Sequence, residues 1–183
     1  MKLKILIILS LLALLIGSGR FGTLIQTNWL NASAASQQKD PFYLMAHESL
    51  GFLRDGLPAK EVIKNLGEPG RKSAKIVWGA DGLEHQTWYY QTKGIELDIA
   101  NEVKRQTLRT VNMITIRKPC TYRTKRNIGI GSSKNDLLKV YRNEIDHKAS
   151  QGNIIIAGSV YGGVFFTLEK NQVSKIFIGA GAE

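Results

Sequence analysis

Two stretches of this chain repeat each other in the same order, and this repetition constrains the fold more than any other feature. Three pairs of segments match: 56–69 with 131–144, 94–100 with 163–169, and 111–118 with 173–180. Matches that recur in register indicate an internal duplication. Each half contains a glycine, a helix, a loop and three strands. The sequence therefore predicts an α+β fold in which a helix plus antiparallel β-meander occurs in tandem, forming one sheet with the helices packed on one face.

The glycine-rich junction "NIGIGSSKNDLL" raises the question of a phosphate site, because a helix start can hold phosphate on backbone N–H groups. Ser133 followed by Asp136 fits a capping box. The matching position in the first half is Pro58, which pre-sets the backbone of a helix start. The GxxxxGK[ST] pattern is missing from both copies. The junction therefore predicts a helix start and not a nucleotide site.

Alternation along the strands predicts which side chains share a face. A turn at Thr92-Lys93 pairs Tyr90 with Ile95 and Trp88 with Leu97. The predicted core face carries Trp88, Tyr90, Ile95, Leu97 and Ile99, and the outer face carries Tyr89, Glu96 and Asp98. The two acids could resemble a glycosidase pair, but solvated outer-face residues are the simpler interpretation.

In the second half, Gly162-Gly163 is a strong hairpin signal. The predicted core face then carries Tyr161, Val164, Phe166 and Leu168. After a turn at 169–172, Ile176 and Ile178 should point inward, as Ile114 and Ile116 do in the first half. The outer face is left with Val160, Phe165 and Phe177. Residues 41–53 have apolar positions at helix spacing, so an additional N-terminal helix is expected there.

Several motifs follow one another in the chain: Gly-x-[Ser/Pro]-x-x-[Glu/Asp]-[Val/Leu], then "NLGEP", "TWYY", a short hairpin and a final strand. Together they resemble the small lipoprotein of the outer-membrane barrel-assembly machinery. The doubled version resembles the beta-lactamase inhibitor protein family. The resemblance covers residues 50–118 well and 127–180 more loosely. It implies scaffold roles for Gly56, Pro58, Leu66-Gly67-Pro69, Trp88 and Tyr90. The second copy departs from the pattern, with "VYRNE" in place of "NLGEP" and Ser159 in place of Trp88.

The first residues have the pattern of a targeting segment. "MKLK" is a basic n-region, and 5–17 is an apolar h-region that is short for a spanning helix. Small residues favour cleavage after Ala34 or Ala35. We therefore predict a signal peptide at 1–35, a first α+β repeat with an N-terminal helix at 36–119, and a second at 120–183. The protein would be exported (periplasmic, cell-surface or secreted), and an uncleaved membrane anchor is the alternative.

The net charge of +10 is concentrated in one part of the chain. Residues 103–133 contain cations and no acid: Lys104, Arg105, Arg109, Arg117, Lys118, Arg123, Lys125 and Arg126. Such a segment could bind an anionic polymer or lipid headgroups, and the candidate anion-binding residues are Lys104, Arg105, Arg109, Arg123, Lys125 and Arg126. A solvated linker between the repeats explains the charge equally well. An exported location argues against nucleic acid as a partner.

The single cysteine, Cys120, excludes an intrachain disulfide, and the three histidines show no metal-ligand spacing. Cationic neighbours could activate the thiol, but an incidental cysteine is the simpler interpretation. No catalytic, cofactor or metal motif is recognisable, so we predict no enzyme activity and no cofactor. Fold resemblance alone does not fix function, and the lipid-bearing cysteine of the assembly lipoprotein is missing.

The functional prediction is a non-catalytic module that binds another envelope or secreted protein, as an assembly factor or an enzyme inhibitor. Clustered apolar side chains on an outer face mark partner sites. The inhibitor resemblance also implies binding through a concave sheet face. The candidate partner-binding residues are Val160, Phe165, Phe177 and Tyr89. Alternatively, the helix at 41–53 could cover this face and make both phenylalanines ordinary core. The oligomeric state stays open.

Overall fold

An antiparallel sheet forms most of the computed structural model, which describes residues 40–102 and 108–181. The strands are β1 Arg71–Lys72, β2 Ile76–Val77, β3 Leu83–Tyr90, β4 Ile95–Glu102, β5 Thr110–Arg117, β6 Ile154–Ala157, β7 Gly163–Glu169 and β8 Gln172–Gly179. The helices are α1 Tyr43–His47, α2 Ala59–Leu66 and α3 Lys134–Tyr141. A large antiparallel sheet with a few helices agrees with the predicted α+β class. The predicted signal peptide lies outside the described residues.

The strands run in the order β1-β3-β4-β5-β8-β7-β6, and β2 also pairs with β3. At the centre of the sheet, β5 pairs with β8. Ile114 lies opposite Ile178 and Ile116 opposite Ile176, and all four are buried. The inward alignment predicted for these isoleucines is therefore confirmed.

The first hairpin has the predicted register, with Tyr90 opposite Ile95 and Trp88 opposite Leu97. Its connection is longer than the expected two residues, because Gln91–Lys93 form a 3-10 turn. Gly94 follows with a φ of 64°, and a Cβ there would collide with the carbonyl oxygen of Arg117. Only glycine fits this close approach without strain.

Both predicted helix starts are confirmed. The Ser133 hydroxyl accepts from the Asp136 N–H at 3.1 Å and donates to the Asp136 carboxylate at 2.7 Å. Pro58 occupies the N-cap position of α2. Local sequence chemistry therefore determines where α2 and α3 begin.

One buried cluster joins the inward-facing strand residues to the helices. Trp88 is 1% exposed, and Val62 of α2 and Leu137 of α3 are fully buried. The ring of Tyr141 in α3 contacts that of Phe166, with centroids 5.1 Å apart. These contacts stabilise the fold by removing large apolar surfaces from water.

The second hairpin differs from the prediction. Its first strand is β6, and residues 158–162 form the connection to β7. Gly158 adopts a φ of 88°, which ends the strand before Val160. Val160 therefore lies in a loop and not on a strand face. Tyr161, predicted to be in the core, is 57% exposed.

The N-terminal helix is shorter than the predicted 41–53. It ends at His47, because Glu48 is extended and Gly51 has a φ of 59°. Its buried residue, Leu44, joins the buried cluster. Neither Phe165 nor Phe177 belongs to that cluster, so the alternative in which this helix covers both rings finds no support.

Candidate functional site

A continuous row of side chains crosses the outer face of the sheet, opposite the buried cluster. The strand register places these residues side by side, from one edge to the other: Arg71, Tyr89, Glu96, Thr115, Phe177, Phe165 and Ile156. Three of the four predicted partner-binding residues, Tyr89, Phe165 and Phe177, lie in this row. We call it the outer row.

The two phenylalanines of the outer row contact each other edge to face, with ring centroids 5.3 Å apart. Both side chains are partly exposed. Gly181 lies against Phe165, since a Cβ there would come within 2.5 Å of the ring. The Gly181 N–H donates to the Val160 carbonyl at 2.8 Å. Val160 therefore holds the chain beside Phe165 through its backbone, although it does not belong to the outer row.

Tyr89 forms the opposite end of the aromatic part of this face. The guanidinium of Arg71 lies 3.6 Å from its ring centroid, a cation–π distance. Next to it, Glu96 forms a long ion pair of 3.5 Å with Arg117, and both side chains are substantially exposed. An exposed pair of this length contributes little to stability, so both groups can exchange their partners at low cost.

A buried polar cluster lies beside the outer row. The His85 Nδ1 is 2.6 Å from Asp98 Oδ2, and its Nε2 is 3.0 Å from Asp81 Oδ2. The indole of Trp78 stacks on the imidazole, with centroids 3.7 Å apart and planes 7° from parallel. Two carboxylates and one aromatic ring therefore hold the imidazole in one orientation.

Asp98 was expected to be a solvated residue, and this prediction is wrong: the residue is 8% exposed. Its Oδ2 also accepts from the Asn112 side chain at 3.1 Å. Its Oδ1 has no hydrogen-bond partner among the residues that the structure describes. A buried carboxylate oxygen without a partner is costly and calls for an explanation.

A small pocket of about 180 Å³ opens on this face. Glu96 and Asp98 contribute its carboxylates, and Trp78, Met113 and Phe177 contribute its apolar walls. Two threonines complete the lining, Thr87 and Thr115. We call it the outer pocket. Sequence reasoning placed Glu96, Asp98 and Phe177 on this face but missed Trp78 and His85, which no local pattern marked.

The candidate anion-binding cations contact groups of their own chain. Arg109 donates to the Gln86 side chain at 2.6 Å, and Arg123 donates to the Asn127 carbonyl at 2.7 Å. The ammonium of Lys125 donates to the His47 carbonyl at 2.5 Å. Arg126 pairs with Glu144 at 2.9 Å. Lys104 and Arg105 lie outside the described residues.

Arg109 also lines a larger pocket of about 390 Å³ at the start of α2. Lys60 and Lys72 line the same pocket, and apolar residues form most of the remaining walls. Three cations at one pocket could attract an anion. Anion binding by this part of the chain stays a prediction.

Cys120 is buried, and burial raises the pKa of its thiol. The cationic neighbours in the sequence do not offset this effect, so the hypothesis of an activated thiolate loses its basis.

Within the described ranges, no group of histidine, cysteine and acidic side chains is arranged to hold a metal ion. In the same part of the chain, no helix is long and apolar enough to cross a membrane.

No protein-family model, no curated protein and no solved structure matches this chain.

Proposed function

We propose that this protein is an exported, non-catalytic binding module that recognises another envelope or secreted protein through the outer face of its sheet. The observation that carries the proposal is the outer row. It places Phe177 and Phe165 on the neighbouring strands β8 and β7, and Tyr89 on the same face on β3, all outside the buried cluster. Partly exposed aromatic side chains are enriched at protein interfaces, where they bury a large apolar area.

We further propose that the fold arose by tandem duplication, with the helices packed on one face. Each half has a helix followed by a three-stranded antiparallel meander, β3-β4-β5 in the first half and β6-β7-β8 in the second, and the first half also contains the short strands β1 and β2. The last strand of one meander, β5, pairs with the last strand of the other, β8. Val62 of α2 and Tyr141 of α3 both belong to the buried cluster. In this arrangement the opposite face carries the partly exposed rings of the outer row, which supports a role as an assembly factor or inhibitor.

The experiment compares two double variants of the tagged full-length chain. Phe165→Ser with Phe177→Ser removes both rings of the outer row, and Phe166→Ser with Ile176→Ser removes two buried neighbours on the other face. After cross-linking in the native cell, captured proteins are identified by mass spectrometry. The first double variant should stay folded and lose one specific partner, whereas the second should unfold. A folded first variant that retains every partner would refute the proposal.

Export is tested on the same material. If the leader is cleaved as proposed, mass spectrometry will find a mature N-terminus near residue 35 or 36. An intact Met1 in the membrane fraction would instead support the uncleaved anchor.

The alternative proposal is an anionic polymer or lipid-headgroup binder that uses the cations of 104–126. The pocket lined by Lys60, Lys72 and Arg109 favours it. Salt separates the two proposals, because exposed charges are screened within about 10 Å at 0.1 M salt. Anion binding should weaken steeply with added salt, whereas an interface built on the outer row should weaken little.

A further inference from the structure

We propose that the outer pocket binds the cationic side chain of an arginine or lysine on the partner protein. This inference rests on the proposed function and specifies its chemistry. The pocket combines two carboxylates, on Glu96 and Asp98, with two aromatic rings, on Trp78 and Phe177. Aromatic faces attract cations through the ring quadrupole, and carboxylates attract them by charge.

The charge of the pocket is opposite to that of the whole chain. The net charge is +10, yet the described residues lining the outer pocket include two acids and no cation. An acidic pocket on a basic protein selects against anions locally. It therefore complements a cationic group, which the rest of the protein repels.

Asp98 supplies the second carboxylate of the pocket. It is 8% exposed, lines the pocket, and has an Oδ1 without a partner among the described residues. Its other oxygen is already occupied by His85 and Asn112, which fix the carboxylate in place. This fixed carboxylate adds negative charge to the lining of the pocket, which attracts a cation.

The walls fit the remainder of a long cationic side chain. Met113 and Phe177 present apolar surface on which a methylene stem can pack while its charged end reaches the acids. Trp78 is fixed by its stacking on His85, so its ring is preorganised. Glu96 forms a long, exposed contact with Arg117, which an incoming cation can replace.

The experiment is an NMR titration of the ¹⁵N-labelled protein. The probes are N-acetyl-arginine methylamide and N-acetyl-lysine methylamide. Their neutral counterparts are the citrulline and norleucine derivatives. The indole N–H of Trp78 reports on the pocket. That of Trp88 is an internal control, because it bonds Gln86 and belongs to the opposite face.

Both cationic probes should shift the Trp78 signal with dissociation constants of about 1–10 mM, as expected for a single side chain. The Trp88 signal should not follow. The neutral probes should bind at least about tenfold more weakly, because they lack the charge. Equal binding by arginine and citrulline derivatives would overturn the proposal, as would the absence of any shift.

Glu96→Gln should weaken the cationic probes about tenfold. The matched control is Glu61→Gln, which removes the same charge from a side chain of similar exposure on α2. Phe177→Leu is a second variant and should weaken the probes roughly fivefold by removing a cation–π wall. If Glu96→Gln and Glu61→Gln have equal effects, the binding is non-specific and the proposal fails.

Failure of this inference is distinguishable from failure of the proposed function. If the probes do not bind but Phe165→Ser with Phe177→Ser loses the partner, the outer face is an interface and the cation pocket is wrong. If the probes bind but partner capture is unaffected by that double variant, the pocket stands and the interface lies elsewhere.

Discussion

Replacing Glu48 with alanine should destabilise this protein strongly, because its carboxylate is buried and accepts three hydrogen bonds. Glu48 is 3% exposed and lies between the N-terminal segment and the second half of the chain. Its Oε1 accepts from the backbone N–H groups of Lys125 at 2.8 Å and Ser49 at 3.2 Å. Its Oε2 accepts from the Tyr141 hydroxyl at 2.9 Å. Alanine would leave these three donors without their acceptor.

Each buried donor left without an acceptor costs roughly 1–3 kcal/mol. The guanidinium of Arg126, 3.8 Å from Glu48, loses part of its charge compensation as well. The Tyr141 hydroxyl can recover some energy by turning to another acceptor, so the three costs do not add fully. We therefore expect Glu48→Ala to lower the free energy of unfolding by about 3–5 kcal/mol, as for a broken buried charge pair.

Urea unfolding followed by circular dichroism measures this change. With a slope of about 2 kcal/mol/M, the midpoint should fall by about 1.5–2.5 M. Glu48→Gln retains an acceptor oxygen and should cost about half as much or less. Glu61→Ala, on the exposed surface of α2, should change the midpoint little. If the Glu48→Ala midpoint lies within about 0.25 M of the wild-type midpoint, the reasoning is refuted. The three donors would then not depend on the Glu48 carboxylate for stability.

Further predictions concern the sheet, alkaline pH and the thiol. Trp88→Ala should cost roughly 3–5 kcal/mol in thermal or urea unfolding, and Tyr89→Ala well under that, because Trp88 is buried and Tyr89 lies on the outer face. A costlier Tyr89 would contradict the strand facing. Burial, and secondarily the charge of Glu68, raises the pKa of Tyr90 from 10.0 to about 12. Tyr90 therefore ionises at a lower pH in the unfolded chain than in the folded protein. The stability that the neutral side chain contributes is complete below pH 10 and is lost as the pH rises towards 12. Tyr90→Phe should flatten this decline in stability. Cys120, buried and with a raised pKa, should react with a thiol reagent only as fast as the protein unfolds; rapid labelling of the native state would contradict this.

Where the structure depends on neighbouring residues in the chain, the sequence predicted it well. The capping box of Ser133 and Asp136 marked the start of α3, because the two groups bond to each other across one helical turn. Alternation placed Trp88 and Tyr90 inside, because side chains in a strand point to opposite faces in turn. The turn between β7 and β8 was also expected, and Lys170 and Asn171 adopt positive φ there.

The second hairpin was predicted less well. The Gly162-Gly163 signal predicts a tight turn, whereas the chain already leaves the sheet at Gly158. The apolar run "IIIA" of β6 carries no alternation from which a face could be assigned. Its position became clear only from the pairing of Ile155 with Phe166 and of Ile156 with Phe165.

The sequence by itself determined the helix starts, the alternating faces of the first hairpin and the outer-face positions of Tyr89, Phe165 and Phe177. Only the tertiary structure decided which of these residues meet. Residues as far apart in the sequence as Tyr89 and Phe165 lie in one row because β5 pairs with β8 in a register set by buried isoleucines. Trp78 covers His85, and Asp98 is buried, through contacts between strands that no local pattern encodes. Local chemistry fixes dihedrals and faces, whereas a binding pocket depends on contacts between distant segments, which form only when the core packs.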